Sequence, residues 1–218
     1  MFYRLFRLLF PPRCTLCRRW LSREQTDLCP QCRENAPLCE KEKFKISFLA
    51  RWCAVWYYKD DVRSSLLRYK FGRKRSYSAV YARFLAMKLQ RNGMDQPEVL
   101  TWIPVSTLRR WKRGFDQTQL LALATARELG IPAVKTLKKI RHTPPQSGIG
   151  KADARRANVL GAYRITDPAL VRDKSVLLLD DILTTGATAS ECAKTLLLAG
   201  AREVSCAVVA VAPHSDKK

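Results

Sequence analysis

Two acids and a hydroxyl-rich turn stand close together in this chain. Asp180 and Asp181 end the apolar run Val176 to Leu179, and Thr184-Thr185-Gly186-Ala187-Thr188 follows two residues later. The carboxylates offer acceptors for hydroxyl groups, or ligands for a metal. The turn offers backbone N–H and threonine hydroxyl donors, and Gly186 allows close backbone approach. A sugar phosphate is the simplest ligand that needs both sets at once. The alternatives are a plain nucleotide site, or a buried turn with satisfied acids. Two adjacent carboxylates are costly to bury together.

The elements around these residues suit that chemistry. The run before the acids is aliphatic or β-branched throughout, which reads as a strand buried on both faces of a parallel sheet. Ala187 to Leu198 reads as a helix. The acids then sit at the carboxyl end of a strand, where open α/β sheets bind ligands. A strand, a short turn and a helix start present free N–H groups and a positive helix end to an anion.

A second constellation lies near the N-terminus. Cys14-x-x-Cys17 and Cys29-x-x-Cys32 are separated by eleven residues. Each pair offers two thiolates to one tetrahedral ion, and two pairs close the four-cysteine site that structural Zn²⁺ prefers. A segment this short cannot build its own core, so the metal would supply much of its folding energy. Cys39 is a candidate spare ligand. Cys53, Cys192 and Cys206 fall in apolar patterns and read as core residues. With no secretion signal, a reducing compartment is expected for these thiols.

Charge sets the third constraint. Forty Lys and Arg against 19 Asp and Glu give a net charge of +21. A net charge of roughly 2–8 keeps a small domain soluble, so the excess points to a polyanionic partner. The dense patches are Arg73-Lys74-Arg75 and Arg109 to Arg113. Arg19, Arg73, Lys74, Arg75, Arg109, Arg110 and Lys112 are the candidates for nucleic-acid contact. Trp20, Trp52, Tyr57, Tyr69, Phe71, Tyr77, Trp102 and Trp111 are the aromatics near them on which bases could stack. Most of these are expected to serve the core or a domain interface.

The 218 residues, 47% of them hydrophobic, allow one medium domain and a small one. Residues 1–45 are expected to form an N-terminal helix and zinc module, 46–97 a linking helical or hood region, and 98–218 the main domain. The opening MFYRLFRLLFPP is broken by Arg4 and Arg7 and lacks a small-residue cleavage site, so it reads as a short amphipathic helix rather than a signal peptide. No run approaches the roughly 18 apolar residues of a membrane span. In the middle region a strand is expected near 50–60. Two amphipathic helices follow: Val62 to Phe71, with Val62, Leu66, Leu67 and Phe71 apolar, and Tyr77 to Gln90, with Val80, Phe84 and Met87 flanked by Leu85 and Leu89. From Glu98, strands and helices alternate: VLTWIPV, a helix from Asp116 to Leu129, Val134 to Leu137, Tyr163 to Thr166, the opening stretch, and Val204 to Val211. That alternation implies a parallel sheet with helices on both faces. Residues 138–159 carry no periodicity and read as a long functional loop.

The stretch Val176 to Thr188, VLLLDDILTTGAT, resembles the phosphoribosyl-pyrophosphate (PRPP) signature of the type I phosphoribosyltransferases: four apolar residues, two acids, two residues, then T-T/S-G-x-T. The resemblance implies an α/β fold with a phosphoribosyltransferase-like parallel sheet flanked by helices, beside the small four-cysteine zinc module. It implies that Asp180 and Asp181, the catalytic candidates, hold the ribose hydroxyls. Thr184, Thr185, Gly186, Ala187 and Thr188 would cradle the 5′-phosphate. Lys112 and Arg113, after the strand ending IPVS, would meet pyrophosphate through charge-assisted bonds. Loop 138–159 lies where those enzymes carry a flexible loop that closes over the reaction centre and excludes water. Thr143, Gln146, Arg155 and Arg156 are its candidates.

The order of all these parts resembles the ComF/GntX family. The markers are LLFPPRCTLC, the second C-x-x-C, Lys70-x-Gly72, Arg113 to Gln117, Thr143 with Gln146, Arg155-Arg156-x-Asn158, and the PRPP signature. The family's usual string is R-G-F-N-Q; here Asp116 replaces the Asn. The resemblance implies a role in uptake and cytoplasmic processing of single-stranded transforming DNA. Its implied partners are single-stranded DNA, PRPP or a related sugar phosphate, and a competence helicase or membrane channel. Its implied place is the cytoplasm, at or near the inner face of the cytoplasmic membrane.

Three functions are compatible with these residues. The first is that competence role. The second is a metabolic phosphoribosyltransferase acting on a base or amine, with pyrophosphate leaving as a Mg²⁺ complex; the substrate would hold most of the Mg²⁺, which keeps waters and few protein ligands. The third is an adaptor with a zinc module and a silent site. Intact acids and an intact turn argue for ligand binding and leave turnover open.

Overall fold

The computed structural model describes residues 12–40, 44–141 and 159–213. Its main sheet has four strands, β1 (Trp52–Tyr57), β2 (Val99–Trp102), β5 (Ser175–Leu183) and β6 (Glu203–Val211), in the order β1-β6-β5-β2. All three pairings are parallel. Leu178 lies opposite Cys206 and Asp180 opposite Val208, so the acids leave the sheet beside a central partner. A second ribbon pairs β3 (Leu137–Lys139) with β4 (Tyr163–Ile165) antiparallel. The expected strand at Val134 to Leu137 is therefore shifted. Its start instead follows the sheet edge, where Ala133 bridges Leu100 in parallel.

The α-helices are α1 (Pro30–Asn35), α2 (Asp60–Phe71), α3 (Tyr77–Arg91), α4 (Thr107–Arg113), α5 (Gln117–Leu129) and α6 (Ala187–Leu198). Side chains alternate across each strand, so each sheet face builds its own core. Val55, Leu100, Leu177, Leu179 and Val209 face one side, with Leu66, Tyr81, Leu85 and Leu121 of the helices α2, α3 and α5. Ala54, Val176, Leu178, Cys206 and Val208 face the other, with Cys192, Ala193 and Leu196 of α6 and with Leu137 and Tyr163 of the small ribbon. Cys53, Cys192 and Cys206 are core residues, as their apolar patterns indicate. β1, from the segment before residue 98, forms an edge of this same sheet.

Two helix faces differ from the expectation. On α3 the buried residues are Tyr81, Ala82, Leu85, Ala86 and Leu89, whereas Met87 is exposed and Val80 and Phe84 are only partly covered. Tyr81 carries the stripe because its ring packs edge-on against Tyr69 and its hydroxyl pairs with Ser65. On α2, Val62 and Leu66 are buried, but Phe71 is exposed and Tyr69 is buried in its place. Val62, Leu66, Leu85 and Leu89 bury as expected, and Tyr69 and Tyr81 join them because each hydroxyl has a hydrogen-bond partner.

The cysteine segment is docked on the body. Leu16, Leu21 and Leu28 belong to the same core cluster as Trp56, Leu66 and Tyr69. Asp27 forms a two-pronged ion pair with Arg83 of α3, its Oδ2 accepting from Nε at 2.8 Å. Among the described residues, no helix is long and apolar enough to cross a membrane.

Candidate functional site

At the carboxyl ends of β2 and β5 lies a cavity of about 280 Å³. Asp180 and Asp181 reach it from β5, Thr184, Thr185, Ala187 and Thr188 from the turn into α6, Arg109 and Arg113 from α4, and Lys70 from α2, whereas Gly186 does not line it. The crevice thus gathers residues from α2, α4 and the β5–α6 segment, which are far apart in sequence.

The two acids diverge because they are neighbours on a strand. Asp181 continues the face of Leu177 and Leu179 towards α2 and α5. There Lys70 Nζ lies 2.7 Å from its Oδ1, and Gln117 Nε2 donates to its Oδ2 at 3.1 Å. Asp180 continues the opposite face. Its Oδ1 accepts the backbone N–H of Asp181 at 2.8 Å. Burial, reinforced by the charge of Asp181, pushes the Asp180 carboxyl up to about 8. One acid is therefore paired with a cation, and the other is pushed towards its protonated form.

Gln117 is 3% exposed and lines the cavity, and its Oε1 is buried without a hydrogen-bond partner among the described residues. Its own carbonyl accepts from the Tyr69 hydroxyl at 2.6 Å. A buried, unpaired amide oxygen is costly to leave unmet, and a donor on a bound ligand would meet it. Lys139 and Tyr163, from the small ribbon, close the Asp180 side of the cavity. Burial and then Arg109 push the Lys139 ammonium below its usual range.

The turn has the shape of an anion cradle. Gly186 adopts φ +77° and ends the loop, and α6 starts at Ala187. The close approach at Gly186 is made by protein: a Cβ there would come within 2.9 Å of the Ile46 side chain. Ile46 thereby packs the turn from behind, while Thr184, Thr185 and Thr188 face the cavity. The Ala187 N–H is held by Thr185 Oγ1 at 3.4 Å, and the other first-turn N–H groups of α6 have no helical partner, as at any helix start.

The thiols of Cys14, Cys17, Cys29 and Cys32 lie within 4.8 Å of one another. None of the eight cysteines is in a disulfide, and Cys39 is not part of this cluster. Cys39 instead joins the opposite core, and its N–H bonds the Val55 carbonyl, so it is no spare ligand. Burial pushes the Cys14 thiol up, but N–H groups of Cys17, Cys29 and Leu16 outweigh it and hold the thiol below its ordinary value. Four convergent sulfurs suit tetrahedral Zn²⁺.

Two domain models match parts of the chain. A double zinc ribbon domain model matches residues 5–43, and a phosphoribosyl transferase domain model matches residues 119–218. DNA utilization protein YhgH of Salmonella typhimurium is 30% identical over 201 residues, covering 88% of this chain and 86% of that protein. The chain belongs to the ComF/GntX family. Competence protein F of Haemophilus influenzae is 26% identical over 218 residues, with 88% and 93% covered. Competence protein ComFC of Streptococcus pneumoniae is 29% identical over 203 residues, with 84% and 87% covered.

The family markers can now be placed. Lys70 of the K-x-G turn is the partner of Asp181. Asp116 of the R-G-F-D-Q string caps α5: its Oδ1 accepts from the Gln119 N–H at 3.1 Å and from the Thr118 hydroxyl at 2.7 Å. That role needs only an acceptor, which an asparagine Oδ1 also supplies. The segment after IPVS forms the helix α4, capped by Ser106. Its spacing turns Arg109 and Arg113 to the cavity and leaves Lys112 exposed outside it. Arg113 is held below its usual range by burial, against the pull of Asp181.

The other candidates fall elsewhere. Arg73, Lys74, Arg75, Arg110 and Lys112 are exposed. Arg75 donates to the Gly114 carbonyl at 2.9 Å, which joins the α2–α3 turn to the end of α4. Arg19 sits on the cysteine ribbon and donates to Gln31. Of the aromatics, Trp52, Tyr69 and Trp102 are buried, Tyr57 and Tyr77 are partly covered, and Trp20, Phe71 and Trp111 are exposed. Thr143, Gln146, Arg155 and Arg156 lie outside the described residues, as does the N-terminal segment 1–11. Sequence reading gave no role to Lys70, Gln117, Lys139 or Tyr163. For Lys70 and Gln117 the only signal was their place in the family markers.

Proposed function

We propose that this chain supports the handling of single-stranded DNA during its uptake and use, with PRPP or a related sugar phosphate as the ligand of its cavity. One observation carries the reading. The exposed aromatics Phe71 and Trp111 stand among Arg73, Lys74, Arg75, Arg110 and Lys112, and the chain neighbours Lys70 and Arg113 line the cavity. The Arg113 guanidinium sits 5.0 Å over the Phe71 ring. A basic strip with exposed rings suits a single strand, whose phosphates need cations and whose bases need π-faces. Its contact with the cavity supports a common site for strand and sugar phosphate.

In the cavity, the turn Thr184 to Thr188 takes the 5′-phosphate. Asp180 and Asp181 meet the ribose hydroxyls, and Arg109 and Arg113 meet pyrophosphate. Mg²⁺ arrives with the pyrophosphate. Helicase and membrane-channel partners follow from family resemblance alone, as does a place at the inner face of the cytoplasmic membrane. The metabolic reading, transfer to a free base or amine, is favoured by the intact acid pair and turn.

The test is an anisotropy titration of a labelled single-stranded oligonucleotide at several salt concentrations, with and without PRPP and Mg²⁺. The proposal expects tight binding with a steep salt slope and a changed affinity when PRPP is added. Replacing Arg73, Lys74 and Arg75 by Ala should lower the slope by roughly 0.7 per lost phosphate contact. Weak binding at physiological salt, unchanged by PRPP, would move the reading to the metabolic transferase.

A further inference from the structure

We infer that Ser65 and Arg68 are positioning residues through which the cysteine ribbon sets Lys70 against Asp181. The inference needs no assumption about the ligand of the cavity.

The chain of contacts begins inside the first C-x-x-C pair. Thr15 and Leu16 are the two residues between Cys14 and Cys17. The Thr15 carbonyl accepts from Ser65 Oγ at 2.6 Å and from Arg68 Nη2 at 3.2 Å, and the Leu16 carbonyl also accepts from Arg68. Ser65, Arg68 and Tyr69 share one side of α2, at the i, i+3, i+4 spacing that stacks neighbours along a helix. Tyr69 fixes Gln117 through its backbone carbonyl, and Lys70, the next residue, meets Asp181. Ser65 and Lys70 are separated by roughly 7.5 Å of helix rise. Rigid helix thus links the ribbon carbonyls to the cavity carboxylate.

Arg68 gives this link its dependence on the ribbon. Its Nε is buried without a partner, and its bonding partners among the described residues are the two ribbon carbonyls, not a carboxylate. A partly buried cation with such partners is compensated only while those carbonyls point at it. Their direction is set by the knuckle, which Cys14 and Cys17 hold when they share an ion. If the knuckle opens, Arg68 loses both acceptors, Ser65 keeps only the Tyr81 hydroxyl, and the Lys70 end of α2 loses its anchor to the ribbon.

The experiment reads Lys70 itself in the full, zinc-loaded chain. An ammonium paired with a carboxylate at 2.7 Å is slow to acylate. Brief labelling with an amine-acylating reagent, followed by mass spectrometry of each lysine, reports the pair. Lys174, partly buried and bonded to the Leu170 carbonyl, serves as the reference for general loosening. Arg68→Met should raise labelling of Lys70 several-fold and leave Lys174 unchanged. Arg68→Lys, which keeps a cation, should restore much of the protection. Zinc chelation should have the same effect as Arg68→Met. Lys70 remaining protected in Arg68→Met, or Lys70 and Lys174 rising together in it, would overturn the inference.

Discussion

Lys70 and Asp181 are 111 positions apart in sequence and 2.7 Å apart in space. Side-chain exposure is 16% for Lys70 and 5% for Asp181, so water screens the pair little. Removing one partner leaves a charge with poor compensation. Lys70→Met should therefore destabilise the fold by about 3 kcal/mol, read as a lower urea midpoint. Adding Asp181→Asn should recover part of the loss. Additive losses in the double mutant would show that the two residues do not act as a pair.

Asp180 binds its proton more tightly in the folded chain than in the unfolded one, titrating near 8 against an ordinary 3.8 because of burial and then the charge of Asp181. Stability linked to that proton is complete below the unfolded value and is lost as pH rises towards 8. Across this window the wild type should lose stability relative to Asp180→Asn. Denaturant midpoints of the two proteins, measured at several pH values, check this. Parallel profiles would refute it.

Gly186 combines a left-handed backbone with the Ile46 contact. Gly186→Ala should cost about 1–2 kcal/mol for the backbone alone, and more because Ile46 must give way. Ile46→Ala in the same chain should return the packing part but not the backbone part. Thermal unfolding of Gly186→Ala, Ile46→Ala and the double variant separates the two. Equal stability of Gly186→Ala and wild type would contradict the assigned conformation.

Trp111 is 81% exposed, so its removal should leave the fold unchanged. If the strip binds single strands, Trp111→Ala and Phe71→Ala should each weaken oligonucleotide binding by the roughly 1–3 kcal/mol of one stacked base. Anisotropy titrations beside circular dichroism make the comparison. Unchanged affinity in both variants would remove the rings from the interface.

The four clustered thiols should hold one zinc ion per chain, measured by atomic absorption. Chelation should release it, make these four thiols titratable and loosen the ribbon. A ribbon that stays ordered without metal would remove zinc from its structural role.

The parallel sheet, the α6 boundary and the four-cysteine cluster were legible because each rests on local pattern. The run Val176 to Leu179 is apolar at every position, and α6 spans the helix expected from Ala187 to Leu198. Two C-x-x-C pairs carry their own chemistry. The helical faces were less legible, since Tyr69 and Tyr81 bury only because Ser65 and the Gln117 carbonyl await their hydroxyls. The helix Thr107 to Arg113 has no counterpart among the expected elements, although Ser106 is a capping residue at its start.

By itself the sequence determined the motifs: two acids and a phosphate turn at a strand end, four thiols at metal-ligand spacing, and a charge of +21. These are set by neighbours in the chain. Only the tertiary structure decided how the acids divide their work. Pleating sends Asp181 to Lys70 and Gln117 and leaves Asp180, half-buried, on the opposite face. It also decided that the cysteine ribbon touches the helix that carries Lys70. Such contacts join residues remote in sequence, and nothing in the local pattern of one lysine among 40 basic residues names its partner.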